Sequence, residues 1–249
     1  MTIDAESIER IVPDHLRGGD VTGEETLRLH TQRYEFAAAH LPRGRVLDVA
    51  CGVGYGAEIL AGAARGSADF SYLGLDLAQE AIDYAQSHYA CSGATYFRAD
   101  ALSFEDPGGF DAVVSLETVE HLPDPQAFLA CVARWLRPGG VWIGSVPTTP
   151  TTDVIPFHLH DFTPASFREL VARSGLVEED ALLQHQRFHP LRLLLRREAR
   201  ARDLRGNLLG YYRKHPGKLV ARVVSTLRYG FENRYLTLAC RKPVARGAA

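Results

Sequence analysis

The segment Val46-Leu47-Asp48-Val49-Ala50-Cys51-Gly52-Val53-Gly54-Tyr55-Gly56 delivers a carboxylate and three glycines to one tight turn. Val46, Leu47 and Val49 suit a strand covered on both faces, while Gly52 and Gly54 let the backbone approach a ligand where a Cβ would clash. Gly52-x-Gly54-x-x-Ala57 also meets the relaxed dinucleotide fingerprint, with Asp76 near the distance expected of a ribose-binding acid. Asp48 argues against a pyrophosphate, which its charge repels, and for a ligand that carries an ammonium group. S-Adenosylmethionine (SAM) has an ammonium, a sulfonium and no phosphate. A second cluster lies in Glu117-Thr118-Val119-Glu120-His121. On a helical turn, residues three and four apart share a face, so Glu117, Glu120 and His121 converge. Two carboxylates and an imidazole form an oxygen-rich site suited to Mg2+ or Mn2+, and Phe157-His158-Leu159-His160-Asp161-Phe162-Thr163 offers a further ligand. Without a metal, His121 or Glu120 would act as a general base, and His160 beside Asp161 is a third candidate for that role.

These side chains need an α/β frame to position them. Apolar runs alternate with helical periodicity over about 46–145, the pattern of a doubly wound, mostly parallel sheet. Residues 1–45 read as an N-terminal helical cap, with Leu27, Leu29, Tyr34, Phe36 and Leu41 among its apolar positions and Pro42-Arg43-Gly44 ending it. The core then occupies 46–184, with Tyr55 to Ala64 as a helix and Thr163 and Pro164 as the N-cap and first position of another. A basic helical insertion spans 185–230, and 231–249 hold the last strand, around Arg234 to Cys240, and a tail.

From these segments the chain resembles the class I SAM-dependent methyltransferases over roughly residues 30 to 180. Tyr72-Leu73-Gly74-Leu75-Asp76 is similar to their second strand, Tyr96-Phe97-Arg98-Ala99-Asp100-Ala101 to the third and Phe110-Asp111-Ala112-Val113-Val114-Ser115 to the fourth. Leu136-Arg137-Pro138-Gly139-Gly140 is similar to the turn before the fifth. The resemblance implies a Rossmann-like sheet of seven strands. It also implies that Asp48 serves the glycine loop and amino group, Asp76 both ribose hydroxyls, and Asp100 with Ala101 the adenine. Glu-x-x-Glu-His resembles the metal-dependent branch, in which a further histidine shortly precedes a helix-starting Ser or Thr; counting back from Thr163 selects His158 as the fourth metal ligand. Ile11-Val12-Pro13-Asp14, His30-x-x-Arg33-Tyr34-x-Phe36-Ala37 and Pro156-Phe157-His158 are similar to segments of methyltransferases of glycan and glycosylated natural-product pathways. The implied reaction is O-methylation of a sugar or of a glycosylated small molecule, with a lipid- or nucleotide-linked glycan as a further acceptor class. N-methylation of an amino sugar or small amine, and a non-catalytic SAM-binding scaffold, are the alternatives.

Composition narrows the setting. The chain has 249 residues, 46% of them hydrophobic and 23% charged, as in globular proteins. No apolar run reaches transmembrane length, and the acidic start from Met1 to Glu6 lacks the core of a signal peptide, so a cytoplasmic location is expected. Cys51, Cys91, Cys131 and Cys240 are far apart and form no C-x-x-C pair, which points to reduced thiols. Residues 185–230 hold twelve Lys and Arg against Glu198 and Asp203, a net of +10 in a chain whose total is −2. Such a segment fits a solvated face or an anionic partner, and Leu191, Leu193, Leu194 and Leu195 beside Arg192, Arg196 and Arg197 would suit peripheral membrane contact. No aromatic-rich platform for nucleic acid is evident.

Overall fold

The computed structural model describes residues 11–16, 21–63, 69–187 and 207–244. Among them, β1 (Arg45–Val49), β2 (Ser71–Asp76), β3 (Ala94–Arg98), β4 (Phe110–Leu116), β5 (Leu136–Pro147), β6 (Val177–Arg187) and β7 (Glu232–Arg241) form one sheet. The strand order is β3-β2-β1-β4-β5-β7-β6. Strands β1 to β5 pair in parallel, and β7 runs antiparallel to both β5 and β6. The helices are α1 (Val21–His40), α2 (Gly56–Ala63), α3 (Gln79–His88), α4 (Pro125–Trp135), α5 (Pro164–Arg173), α6 (Leu208–Lys214) and α7 (Pro216–Tyr229). Short 3-10 turns cover Pro13–His15 and Val119–His121.

Side-chain alternation builds the two core layers. Leu47, Val113 and Trp142 face one buried cluster with Phe128 of α4 and Phe167 of α5. Their chain neighbours Val46, Val114 and Ile143 face another, with Tyr34 of α1, Leu60 of α2 and Ile82 of α3. Both faces of the central strands are therefore dry, which is why they read as continuous apolar runs. Helix starts carry their own signals: Asp124 accepts from the Ala127 amide at 2.9 Å, and Thr163 and Ser166 form a reciprocal capping box.

Several boundaries differ from the sequence reading. The Leu136-to-Gly140 turn belongs to β5: α4 ends at Trp135, Leu136 pairs with Phe110, and a register shift opposite takes up the extra residues. Gly139, at φ +83°, donates its amide to the Lys242 carbonyl. The third strand stops at Arg98, which leaves Asp100 and Ala101 in the turn beyond it. Strand β6 runs to Arg187 along the whole of β7, so it enters the segment read as a helical insertion. Residues 191–197, with their leucines and arginines, lie outside the described residues.

The chain leaves β1 toward β2 and β3 on one side and returns to place β4 on the other, so a crevice opens at the C-terminal ends of β1 and β4. Ala50 (φ 59°) and Glu117 (φ 49°), just beyond those two strands, are the non-glycine residues with positive φ among the described residues. Backbone strain is thus concentrated at the crevice, where the loops turn away sharply.

Candidate active site

Asp48, near the end of β1, is 1% exposed. Its Oδ2 accepts from the hydroxyls of Tyr72 at 2.7 Å and Tyr34 at 3.0 Å, while Oδ1 has no hydrogen-bond partner among the described residues. Burial is the main influence on this carboxyl; the two hydroxyls oppose it and the nearby Asp76 charge adds to it, leaving the pKa raised to about 7. Such a group gains by meeting a cation. Asp76 closes β2, and its Oδ2 and Oδ1 accept from the amides of Gly52 and Ala78, each at 2.9 Å. The next residue, Leu77, is 65% exposed and sets an apolar surface beside this acid.

The two central glycines serve different ends. A Cβ on Gly52 would meet nothing within 4 Å, so the space above it is open to a ligand, and its φ of +58° is one that glycine tolerates. A Cβ on Gly54 would lie 2.6 Å from the Ala85 Cβ and 2.9 Å from the Tyr96 ring. Gly54 therefore seats the loop against α3 and β3. Asp100 is exposed, and its Oδ1 caps its own turn by accepting from the Leu102 amide at 2.9 Å; Ala101 packs against the core beside it. An open glycine, an anchored acid, an apolar shelf and an orphaned buried carboxylate oxygen fit a cationic nucleoside such as SAM.

The second cluster forms where the 3-10 turn after β4 meets the 157–160 loop. Glu120, His121 and His158 present ligand atoms that all lie within 4.8 Å of one another. The His121 and His158 rings stand edge to face with centroids 4.6 Å apart. The Glu120 carbonyl accepts the amides of Leu159 (2.8 Å) and His160 (3.3 Å), which zips the distant loop onto the turn. His121 Nδ1 lies 3.2 Å from the Phe157 carbonyl and His158 Nδ1 lies 2.6 Å from Thr151 Oγ1. The Phe157 carbonyl can only accept, so it puts a proton on Nδ1 of His121 and leaves the Nε2 lone pair to a cation, whereas the Thr151 hydroxyl can serve either tautomer of His158. One carboxylate and two imidazoles fit a divalent cation.

Glu117 lies outside this group. Its backbone leaves the strand at positive φ instead of entering the turn, and its carboxylate accepts from Ser145 Oγ at 2.7 Å and lies 3.7 Å from Arg33 Nη1. The face shared at helical spacing therefore begins after Glu117. His160 Nε2 donates to the Leu122 carbonyl at 2.9 Å, a contact that secures the loop.

The sequence reading assigned no role to Arg33, Tyr34 or Tyr72, although His30-x-x-Arg33-Tyr34 stood out as a segment. Arg33, 1% exposed, donates to Gln184 of β6 at 2.8 Å, and its guanidinium lies 4.3 Å from the centre of the Tyr235 ring. Through Arg33 and Tyr34, α1 touches both Glu117 and Asp48.

The loop that carries His158 is braced from behind. Asp161 accepts from the amides of Thr151 and Thr152 and from Lys218 Nζ of α7 at 2.6 Å. Burial opposes ionisation of Asp161, yet Lys218 and the Thr152 hydroxyl, with the two amides, outweigh it and hold the carboxyl at about 2. Buried Asp153 pairs with Arg222 of α7 and accepts from the Tyr212 hydroxyl of α6 at 2.7 Å.

Residues 47–144 match the family model described as a methyltransferase domain. The chain is 32% identical over 179 residues to a probable S-adenosylmethionine-dependent methyltransferase of Mycolicibacterium smegmatis, covering 65% of this chain and 67% of that protein. It is 30% identical over 190 residues to a ubiquinone biosynthesis O-methyltransferase of Thiobacillus denitrificans, covering 67% and 78%. Proteins of the same name from Burkholderia are matched over 45% of their length, so the chain spans less than half of those relatives. Among solved structures, the [4+2]-cyclase SpnF superposes with a TM-score of 0.60 at 22% identity, over 88% of this chain and 82% of that one. That likeness concerns the fold alone.

Proposed function

This chain belongs to the S-adenosylmethionine-dependent methyltransferases, and from that premise we propose that it methylates a hydroxyl of a small molecule, favouring a sugar or glycosylated acceptor, with divalent-cation assistance. The observation that carries the proposal is the convergence of Glu120, His121 and His158 at the mouth of the β1–β4 crevice. The O-methyltransferase names of several relatives support the same direction.

Asp48, Gly52, Gly54 and Asp76 would hold the cofactor, with Asp100 and Ala101 at its adenine end. Bound there, SAM supplies an electrophilic methyl group on a sulfonium. Glu120, His121 and His158 would hold Mg2+ or Mn2+, which lowers the pKa of a coordinated hydroxyl and orients it. The chain's remaining work is alignment and exclusion of water: Thr151 and the Phe157 carbonyl fix the two imidazoles, and Arg33 and Ser145 hold Glu117 beside the crevice. A vicinal diol can chelate one cation through both oxygens, which is the chemical reason to favour sugars over simple alcohols.

A second reading rests on the contact between His121 Nδ1 and the Phe157 carbonyl. That contact also prepares Nε2 of His121 to take a proton from the acceptor without any metal. Release of S-adenosylhomocysteine, measured over glycosides, nucleotide sugars, catechols and amines with and without chelator, separates the two. The metal-assisted reading expects chelator to abolish turnover, Mg2+ or Mn2+ to restore it, and Glu120→Gln and His158→Ala each to lose at least about a hundredfold in rate. Full turnover in chelator combined with a dead His121→Ala variant would leave His121 as a simple base. Turnover confined to amines would replace O-methylation with N-methylation.

A further inference from the structure

Helix α7 is amphipathic in an unusual sense: its apolar side faces solvent. Leu219, Val220, Val223, Val224 and Leu227 are between 43% and 83% exposed. At about 100° per residue these five side chains share an arc of about 140°. Lys218 and Arg222 point to the opposite side, where they pair with Asp161 and Asp153 of the 148–161 loop. The ion pairs therefore orient the helix, with the cations turned inward and the aliphatic face turned out. Leu209 on α6, at 78%, and Phe231 after α7, at 53%, add to the exposed apolar surface.

Charge identifies what would cover this face. From Leu208 to Tyr229 there are five cations and no acid, and Arg213, Lys214 and Arg228 are exposed. Two copies of such a face would repel each other across a symmetric dimer. A nucleic acid would satisfy the cations but leave the aliphatic arc uncovered. A bilayer with anionic headgroups answers both features at once, because apolar side chains enter the acyl boundary while the cations meet phosphate.

We propose that the outward face of α7 docks this enzyme on a membrane surface rich in anionic lipid. Leu219, Val220, Val223, Val224 and Leu227 are the inserting residues, and Arg213, Lys214 and Arg228 are the headgroup contacts. The inward pairs Lys218–Asp161 and Arg222–Asp153 join the docked helix to the loop that carries His158, so the crevice lies close to the bilayer. The docking itself does not depend on which acceptor is methylated.

The test is co-sedimentation of the full chain with vesicles of phosphatidylcholine alone and of phosphatidylcholine mixed with phosphatidylglycerol. Binding is expected to the mixed vesicles only, and added salt should weaken it. Arg213→Gln and Lys214→Gln should each reduce binding about fivefold. Val220→Asp with Leu227→Asp should reduce it at least about tenfold while calorimetric affinity for S-adenosylhomocysteine stays that of the wild type, which shows the variant is folded. Wild-type protein left in the supernatant with both vesicle types would overturn the proposal. So would undiminished vesicle binding by the double aspartate variant, or a dimer in sedimentation velocity that this variant dissolves, since a second copy would then be the occupant.

Discussion

At the scale of single residues, Asp48 sets burial against function. Its carboxyl, ordinarily ionised above 3.8, keeps its proton to about 7 because it is enclosed, although Tyr72 and Tyr34 donate to it. A carboxyl with a raised folded-state pKa contributes most to stability below its unfolded value, and that contribution is lost as pH rises through the folded value. Asp48 therefore makes the unliganded protein less stable between about pH 4 and about pH 7, and Asp48→Asn should flatten that part of the thermal-melting profile. Cofactor affinity should run the other way. If the ammonium of SAM recruits the ionised form, calorimetric affinity rises toward about pH 7 and then levels, and Tyr34→Phe, which removes one donor, moves that rise to higher pH. A flat affinity profile in the wild type would separate Asp48 from the cofactor's charge. Glu117 and Glu120 make a second residue-level contrast: three positions apart, one turns toward Ser145 and the other joins the histidines because a positive φ intervenes.

At the scale of elements, the site is assembled from pieces that are remote in sequence. Helix α1 lies against α2 and the β6–β7 edge and reaches Asp48 and Glu117 through adjacent residues, Tyr34 and Arg33. The loop from Thr148 to Asp161 is locked at one end by the capped start of α5 and along its back by α6 and α7. Thr163 matters here as an anchor: its hydroxyl accepts the Ser166 amide at 3.1 Å, and Ser166 returns the bond at 2.9 Å. Thr163→Ala should cost about 1 kcal/mol of stability in a denaturant titration while leaving S-adenosylhomocysteine affinity intact. A loss of affinity instead would mean that the cap controls the cofactor half of the site as well as the loop.

At the scale of the whole molecule, cofactor and fold are linked by mass action. S-Adenosylhomocysteine at about a hundred times its Kd should add about 2.7 kcal/mol, or about 5–10 °C in melting temperature for a chain of this size. Above about pH 7, where Asp48 is ionised, NAD at the same concentration should leave the melt unchanged, because the buried carboxylate opposes a pyrophosphate. Asp76→Ala should reduce affinity by about 1–3 kcal/mol and shrink the thermal shift accordingly. Among the described residues no helix is long and apolar enough to cross a membrane, and the four cysteines are free thiols, three of them buried. Charge is spread unevenly along the sequence, with a net of +10 over residues 185–230 in a chain whose total is −2. Two inward ion pairs, Lys218–Asp161 and Arg222–Asp153, tie α7 to the loop that carries His158.

Local chemistry was enough to read the frame from the sequence alone. The glycine turn after an apolar strand, the acid closing the second strand, and the Thr-Pro helix start depend on neighbours close in the chain, and each lies where its spacing put it. The seven-stranded count came from the family resemblance, and the sheet has that number, although β6 is too polar to read as a strand from its residues alone. Tertiary structure decided matters that depend on approach between distant segments. The two tyrosine hydroxyls on Asp48 come from α1 and β2, and the need for glycine at position 54 arises from Ala85 and Tyr96. Glu117 stands apart from Glu120, His121 and His158 because its backbone turns at positive φ, and spacing alone carries no dihedral angle. Glu120, His121 and His158 meet because one carbonyl accepts two amides from a loop nearly forty residues further on. Periodicity records which face of an element is apolar; which other element covers that face is settled only by packing, and for the outer side of α7 none of the described elements does so.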